Sequence, residues 1–121
     1  MASVLIVDDS SFMRVLLKEM IEQTGHEVAG EAENGLEAVS MYIRLRPDIV
    51  TMNIVMPELF GIEAVRRIRQ VDPRAKVIIC SAMGNSYNVV EAIQAGALDF
   101  IVKPFDAARL GESIKRLMNR L

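Results

Sequence analysis

Five short apolar runs, separated by longer amphipathic stretches, constrain the fold of this chain more than any other feature of its sequence. The runs lie at residues 4–7, 48–52, 77–81 and 99–102, and a weaker, more polar run lies at 27–30. Their valine and isoleucine residues favour β-strands. Strands that alternate with helices predict a parallel sheet that helices cover on both faces.

The stretches between the runs repeat apolar residues at helical spacing, so each predicts a helix with one buried face. The predicted core-facing positions are Leu16, Met20 and Ile21; Leu36, Val39 and Ile43; Ala64, Val65 and Ile68; Val89, Ile93 and Ala97; and Leu110, Ile114, Leu117 and Leu121. Asn34, Gly96 and Asp106 are typical of helix ends. Right-handed crossovers favour a three-layer, doubly wound α/β sheet of five parallel strands, with the polar strand near Val28 at an edge.

Length and composition predict one globular domain over residues 1–121. Of these 121 residues, 51% are apolar and 25% are charged, which suffices for a core without disulfides. The net charge of −2 gives no reason to expect direct binding of nucleic acid or of a membrane. Because no signal peptide or run of about 20 apolar residues is present, we expect a soluble cytoplasmic protein. We interpret the single cysteine, Cys80, as a core residue and His26 as a surface loop residue.

Polar residues follow four of the predicted strands. Asp8 and Asp9 follow the first strand and Asn53 the third, while Ser81 closes the fourth and Lys103 follows the fifth. Each alone could be an ordinary solvated loop end. Since the carboxyl ends of parallel strands meet at one edge of the sheet, we expect all of them to line a common pocket.

The chemistry of this pocket favours a hydrated divalent cation. Adjacent carboxylates at about 4 Å repel each other by roughly 4 kcal/mol at an effective dielectric of about 20. Mg²⁺ relieves this repulsion and accepts a site with few protein ligands. Acids at 8 and 9 argue against a nucleotide cradle, and neither G-x-G-x-x-G nor G-x-x-x-x-G-K-[ST] occurs in the sequence.

These residues stand in motifs that resemble those of a known family. Residues 4–10 read VLIVDDS, residues 48–57 read DIVTMNIVMP with Gly61 shortly after, Ser81 precedes Ala82, and residues 103–105 read KPF. Together they resemble the receiver domain of two-component response regulators, and most of all the single-domain chemotaxis regulators of the CheY type. The resemblance covers essentially the whole chain and implies the flavodoxin-like strand order 2-1-3-4-5.

The resemblance also implies roles for the pocket residues. Asp8, Asp9, Asn53 and the backbone carbonyl of Val55 would bind Mg²⁺. Ser81 and Lys103 would contact the phosphoryl oxygens. Ser81 and Phe100 would form the switch that follows phosphorylation.

The family's partners and mode of action follow from the same resemblance. The expected partners are a sensor histidine kinase as phosphodonor and an output protein on the face of the fourth helix, fifth strand and fifth helix. We expect a monomer that signals by binding proteins rather than by acting as an enzyme.

The chain departs from the family at Asn53, where the phosphoryl-accepting aspartate is expected. A carboxamide has no anionic oxygen and cannot attack phosphorus usefully. We interpret Asn53 as a near-isosteric replacement of that aspartate, either an engineered substitution or a recent natural one. It would lock the chain in its unphosphorylated state. The alternative is a natural pseudo-receiver that binds its partner independently of phosphorylation. A hydrolase of the haloacid dehalogenase kind is disfavoured, because residues 8–12 read DDSSF rather than D-x-D-x-[TV].

Overall fold

The computed structural model describes residues 1–119, which form five parallel strands and five helices in strict alternation. The strands are β1 (Ser3–Val7), β2 (Glu27–Ala32), β3 (Ile49–Met52), β4 (Val77–Ser81) and β5 (Asp99–Val102). The helices are α1 (Ser11–Gln23), α2 (Gly35–Leu45), α3 (Gly61–Val71), α4 (Ser86–Ala95) and α5 (Ala107–Met118). The strand order is β2-β1-β3-β4-β5, so the predicted fold class and topology are confirmed.

The sheet separates two hydrophobic cores. One core includes buried residues of α2, α3 and α4, and the other includes buried residues of α1 and α5. Alternate residues of β1 supply both, since Leu5 packs into the first core and Ile6 into the second. Apart from the half-buried Ser3, the residues of β1, β3 and β4 are buried, whereas β2 and β5 lie at the edges, as the polar sequence of β2 indicated.

The core-facing sides of α3 and α5 are confirmed, whereas in α2 only Val39 of the three predicted residues packs against the core. In α2, Leu36 and Ile43 are exposed, while Ala38 and Tyr42 are buried. The small side chain of Ala38 lets the helix approach the sheet, and the phenol of Tyr42 fills the core while its hydroxyl donates to Asp72 Oδ2 at 2.7 Å. A pattern that counts only large aliphatic residues therefore missed Ala38 and Tyr42 and included the exposed Leu36 and Ile43.

Smaller corrections apply to α1 and α4. In α1 the fully buried position is Leu17 rather than Leu16. In α4, Ile93 is exposed and Ala92 is buried, again because the small residue faces the sheet. Leu121, which was predicted to continue the buried stripe of α5, lies outside the described residues.

Single residues outside the helices follow the predictions more closely. Cys80 is buried, and this burial raises the pKa of its thiol to about 12. His26 lies in the loop before β2 but is only half exposed, because its Nδ1 accepts a hydrogen bond from the Ala2 N–H at 3.0 Å. Asn34 and Asp106 cap α2 and α5 through their side chains, and Gly96 ends α4 at a φ of 115°. No helix within residues 1–119 is long and apolar enough to cross a membrane.

Candidate functional site

The polar strand ends meet at one edge of the sheet, as predicted. An open cleft of about 270 Å³ lies there. Its lining includes Asp8, Asp9, Asn53, Val55, Ser81 and Lys103, together with Ser10, Met13, Ala82 and Met83. Phe100 is not among the lining residues: it lies in β5, half-buried, and packs against the core on the side of α2, α3 and α4.

Asp8 is the most enclosed acid of the cleft, with only 1% of its surface exposed. Its carboxylate accepts the Ser10 N–H at 2.9 Å through Oδ1 and the Lys103 ammonium at 2.8 Å through Oδ2. Its backbone carbonyl accepts a hydrogen bond from Arg14 Nη1 at 2.8 Å, while Arg14 also pairs with Glu31 at 3.1 Å. Asp8 is therefore held in one position by groups from the start of α1 and from the end of β5.

Asn53 lies between the second acid and the lysine. Its Nδ2 donates to Asp9 Oδ1 at 3.2 Å and to the backbone carbonyl of Val55 at 3.1 Å. Its Oδ1 accepts from Lys103 Nζ at 3.5 Å. Asp9 itself is exposed, so solvent reaches this side of the cleft.

Ser81 and Lys103 are coupled through the backbone at the ends of β4 and β5. The Lys103 N–H donates to the Ser81 carbonyl at 2.8 Å, which continues the pairing of the two strands. The Ser81 hydroxyl is buried and accepts the Met83 N–H at 3.0 Å. Lys103 precedes a cis peptide bond to Pro104, and its ammonium reaches both Asp8 and Asn53.

The loop after β3 depends on a glycine for its shape. The Gly61 N–H donates to the Ile54 carbonyl at 2.7 Å, and a Cβ at Gly61 would overlap the backbone oxygen of Asn53. The glycine thus allows the start of α3 to pack directly on the segment that carries Asn53. Val55, Phe60 and Met83 are exposed apolar residues beside the cleft.

The oxygen donors of the cleft suit Mg²⁺. Two carboxylates, the carbonyl of Val55 and the amide oxygen of Asn53 are hard ligands, and open solvent on the Asp9 side leaves room for coordinated water. Within residues 1–119, no group of three or more histidine, cysteine, aspartate or glutamate side chains could hold a metal ion. A cation bound here would therefore rely on the two aspartates and on neutral oxygens.

Sequence reasoning brought these residues to one cleft but missed some of the groups that hold them in place. Arg14 was overlooked, although its position on the first turns of α1, soon after the paired acids, was a usable signal. Ser10, which follows the paired acids in the sequence, both caps α1 and donates its N–H to Asp8. The direction of the Asn53 amide had no signal in the sequence.

A larger cleft of about 720 Å³ lies near the amino ends of β3, β4 and β5. It is lined by Tyr42, Pro47, Asp48, Arg69, Asp72, Arg74, Lys76, Leu98 and Met118. Its acids are already engaged, because Asp72 accepts the Tyr42 hydroxyl and Asp48 accepts the Ser3 N–H at 2.9 Å. The smaller cleft at the carboxyl ends is the better candidate because it brings two adjacent acids together with Asn53, Ser81 and Lys103.

Comparison with known proteins identifies relatives along nearly the whole chain. The profile of the response regulator receiver domain matches residues 4–115. The chain is 58% identical over 114 residues to the chemotaxis protein CheY of Thermotoga maritima, covering 94% of this chain and 95% of that one. It is 53% identical over 116 residues to CheY of Bacillus subtilis, covering 96% and 97%.

A solved structure shows the same architecture. It is the CheX–CheY–BeF3–Mg²⁺ complex from Borrelia burgdorferi, in which one chain matches with a TM-score of 0.93 and 36% identity. The match covers 98% of this chain and 90% of that one.

Proposed function

This chain belongs to the response regulator receiver domain family, and we propose that Asn53 holds this CheY-like member in its unphosphorylated state. One observation carries the proposal: the Asn53 carboxamide lies at the centre of the cleft, within hydrogen-bond reach of both Asp9 and Lys103. The groups that a phosphoryl acceptor requires surround it, and only the attacking oxygen is missing. The domain then covers residues 1–121 and acts by protein binding in the cytoplasm, not by enzymatic turnover.

Each surrounding residue has a task in the phosphoryl chemistry of the aspartate form. Asp8, Asp9, residue 53 and the Val55 carbonyl would hold Mg²⁺, which supplies positive charge to the phosphoryl oxygens. Lys103 neutralises a further oxygen, and the Ser81 hydroxyl, whose oxygen accepts the Met83 N–H, can donate its own O–H to the phosphoryl group. These groups stabilise charge but do not form the bond to phosphorus.

That bond requires an anionic oxygen at position 53. An aspartate there attacks the phosphorus of a donor such as acetyl phosphate, forming a mixed anhydride as the donor's P–O bond breaks and acetate leaves. The lone pair of the asparagine amide nitrogen is delocalised, and the amide oxygen is neutral. In addition, Nδ2 is occupied by Asp9 and Val55, and Oδ1 faces the Lys103 ammonium. The side chain therefore lacks the anionic oxygen that attack on phosphorus requires, and its nitrogen is already bonded to two acceptors.

Incubation with Mg²⁺ and acetyl phosphate, followed by intact-mass measurement, tests this proposal. We expect no phosphoryl group on the chain as it stands and one on the Asn53→Asp variant. The double variant Asn53→Asp with Lys103→Met serves as a control for the site and should gain the group more slowly. A stoichiometric gain on Asn53 itself would show that the chain is not locked.

Membership of the receiver domain family also suggests the partners of this chain. We propose a sensor histidine kinase as phosphodonor for the aspartate form and an output protein that binds α4, β5 and α5. This face carries the exposed apolar side chains of Tyr87, Val90 and Ile93 on α4 and of Val102 on β5. Such a cluster is typical of protein-binding surfaces, and we expect the chain itself to be monomeric.

Asn53 also favours a second candidate, a pseudo-receiver that binds its partner without phosphorylation. The two candidates differ in how the output face responds to position 53. A pseudo-receiver binds its partner with the same affinity before and after acetyl phosphate treatment of Asn53→Asp. A locked receiver binds the partner differently in the phosphorylated variant.

A further inference from the structure

The three contacts of the Asn53 carboxamide determine which of its ends is nitrogen. Asp9 Oδ1 and the Val55 carbonyl, at 3.2 and 3.1 Å, can only accept hydrogen bonds. Lys103 Nζ, 3.5 Å from the other end of the amide, can only donate. Turning the amide by 180° would set its oxygen against two acceptors and its NH₂ group against an ammonium. The observed orientation is therefore strongly preferred.

This orientation has a consequence for the cation site. The carboxylate of Asp9 and the carbonyl of Val55 are two of the oxygens that would bind Mg²⁺, and the amide NH₂ group donates to both. A partial positive charge thus lies between the oxygens that a divalent cation would otherwise bridge. We propose that the Asn53 carboxamide caps this oxygen pair in place of a cation and excludes Mg²⁺ until the side chain releases both oxygens.

The cap makes residue 53 a determinant of metal occupancy as well as of phosphorylation. Binding of Mg²⁺ to this chain must break two hydrogen bonds, and using Oδ1 as a ligand must also turn NH₂ towards Lys103. An aspartate at the same position has two equivalent acceptor oxygens, so it can bind the ion and the lysine together. The inference rests on the proposed function in one respect, that Asp8 and Asp9 form a cation site.

Removal of the Asn53 side chain distinguishes a cap from a ligand, because the two roles predict opposite changes in Mg²⁺ affinity. We would measure Mg²⁺ binding by titration calorimetry for this chain, Asn53→Ala, Asn53→Asp and a control, Asn88→Ala. If the amide caps the pair, Asn53→Ala binds Mg²⁺ more tightly than the parent, by about threefold to tenfold, since no hydrogen bond has to be broken. If the amide oxygen is a ligand, Asn53→Ala binds more weakly, and equal or weaker binding overturns the cap.

The control Asn88→Ala and the variant Asn53→Asp distinguish failure of the proposed cap from failure of the cation site itself. Asn88 carries an amide that donates to the Met83 carbonyl at 3.2 Å and touches neither acid, so Asn88→Ala should leave Mg²⁺ affinity unchanged. Asn53→Asp should bind at least about tenfold more tightly than the parent. If Asn53→Asp binds no Mg²⁺, the cation site and the proposed function fail together, whatever the alanine variant does.

A measurement on the unmodified chain keeps the inference testable if Asn53→Ala does not fold. In chelator, the two side-chain NH signals of Asn53 should exchange with water more slowly than those of Asn88, since both NH groups of Asn53 are bonded. Saturation with Mg²⁺ should abolish this protection. Asn53 amide protons that exchange as fast as those of Asn88 in chelator would contradict the cap.

Discussion

A single atom at position 53 decides the charge balance of the cleft. Asp8 and Asp9 bring two negative charges, Lys103 brings one positive charge, and the Asn53 amide is neutral. A carboxylate at 53 would replace a donor to Asp9 with a like charge at a similar distance. If the proposed lock holds, the residue that blocks phosphorylation is also the residue that relieves repulsion among the acids.

We therefore predict that Asn53→Asp is less stable than this chain when metal is absent. A third carboxylate near Asp9 lowers the free energy of unfolding by about 1–4 kcal/mol, with Lys103 and solvent keeping the loss towards the lower value. Urea unfolding in chelator measures the difference, and adding Mg²⁺ should reverse it. Equal or greater stability of the aspartate form in chelator would refute the electrostatic argument.

The location of the site residues could be predicted at this scale, but their hydrogen bonds could not. Asp8, Asp9, Asn53, Ser81 and Lys103 follow or end strands, and parallel strands bring their carboxyl ends to one edge whatever the side chains do. The orientation of the Asn53 amide and the contacts of the Arg14 guanidinium depend on side-chain rotamers. These rotamers are set by neighbouring residues that come together only in the folded protein. The cap by Nδ2 therefore emerged only from the structure.

Between elements, one carboxylate joins the edge strand β5 to α5. Asp99 Oδ2 accepts the Ser113 hydroxyl at 2.6 Å and the guanidinium of Arg116, and Arg109 lies 3.7 Å away. Asp99 Oδ1 accepts the Phe100 N–H at 2.8 Å. Burial opposes ionisation, yet these hydrogen bonds and charges hold the pKa of Asp99 below its usual value.

We predict that Asp99→Asn loosens α5 from β5 and does so in a pH-dependent way. Because the pKa is lowered in the folded state, the ionised group stabilises the fold above its unfolded pKa and ceases to do so as pH falls through the folded pKa. At pH 7 the variant should lose about 1–3 kcal/mol of unfolding free energy, and the loss should shrink below about pH 4. Urea unfolding at pH 7 and pH 3 measures both values.

Glu112→Gln is the matched control for that experiment. Glu112 also pairs with Arg116, at 3.6 Å, but its side chain is 70% exposed. Exposed pairs contribute little, so this variant should unfold like the parent at both pH values. An equal loss of unfolding free energy in Glu112→Gln and Asp99→Asn would contradict this prediction. It would show that any carboxylate near Arg116 holds α5 as well as Asp99 and its hydrogen bonds do.

The helices show where sequence periodicity succeeds and where it fails. In α5 the large aliphatic residues are also the buried ones, as with Leu110 and Ile114, so the predicted face was right. In α2 and α4 the small residues Ala38 and Ala92 face the sheet, and larger apolar residues face solvent. Where a helix lies close to a sheet, small residues face the sheet and large apolar residues are not always the buried ones.

At the scale of the whole molecule, the cleft is connected by hydrogen bonds and packing to the face formed by α4, β5 and α5. The Ser81 carbonyl holds the Lys103 N–H, Lys103 follows β5, and β5 contains the half-buried Phe100. The Met83 N–H, which now bonds the Ser81 hydroxyl, lies in the loop that leads into α4. A phosphoryl group that draws Ser81 and Lys103 towards position 53 would therefore displace both β5 and the loop into α4. Contacts that form in only one of two conformations are what a population shift requires.

This coupling predicts where the molecule responds when position 53 can be phosphorylated. In ¹⁵N-resolved NMR spectra of Asn53→Asp, acetyl phosphate with Mg²⁺ should shift the backbone signals of residues 81–103 and of the facing side of α5, while α2 and β2 change little. The parent chain under the same conditions should show only the changes that Mg²⁺ causes alone.

Adding Ser81→Ala to Asn53→Asp should leave phosphorylation measurable by mass but reduce the shifts in α4 and β5, because the hydroxyl that links the phosphoryl group to the loop is gone. Shifts of equal size with and without that hydroxyl would mean that the signal reaches the output face through Lys103 alone.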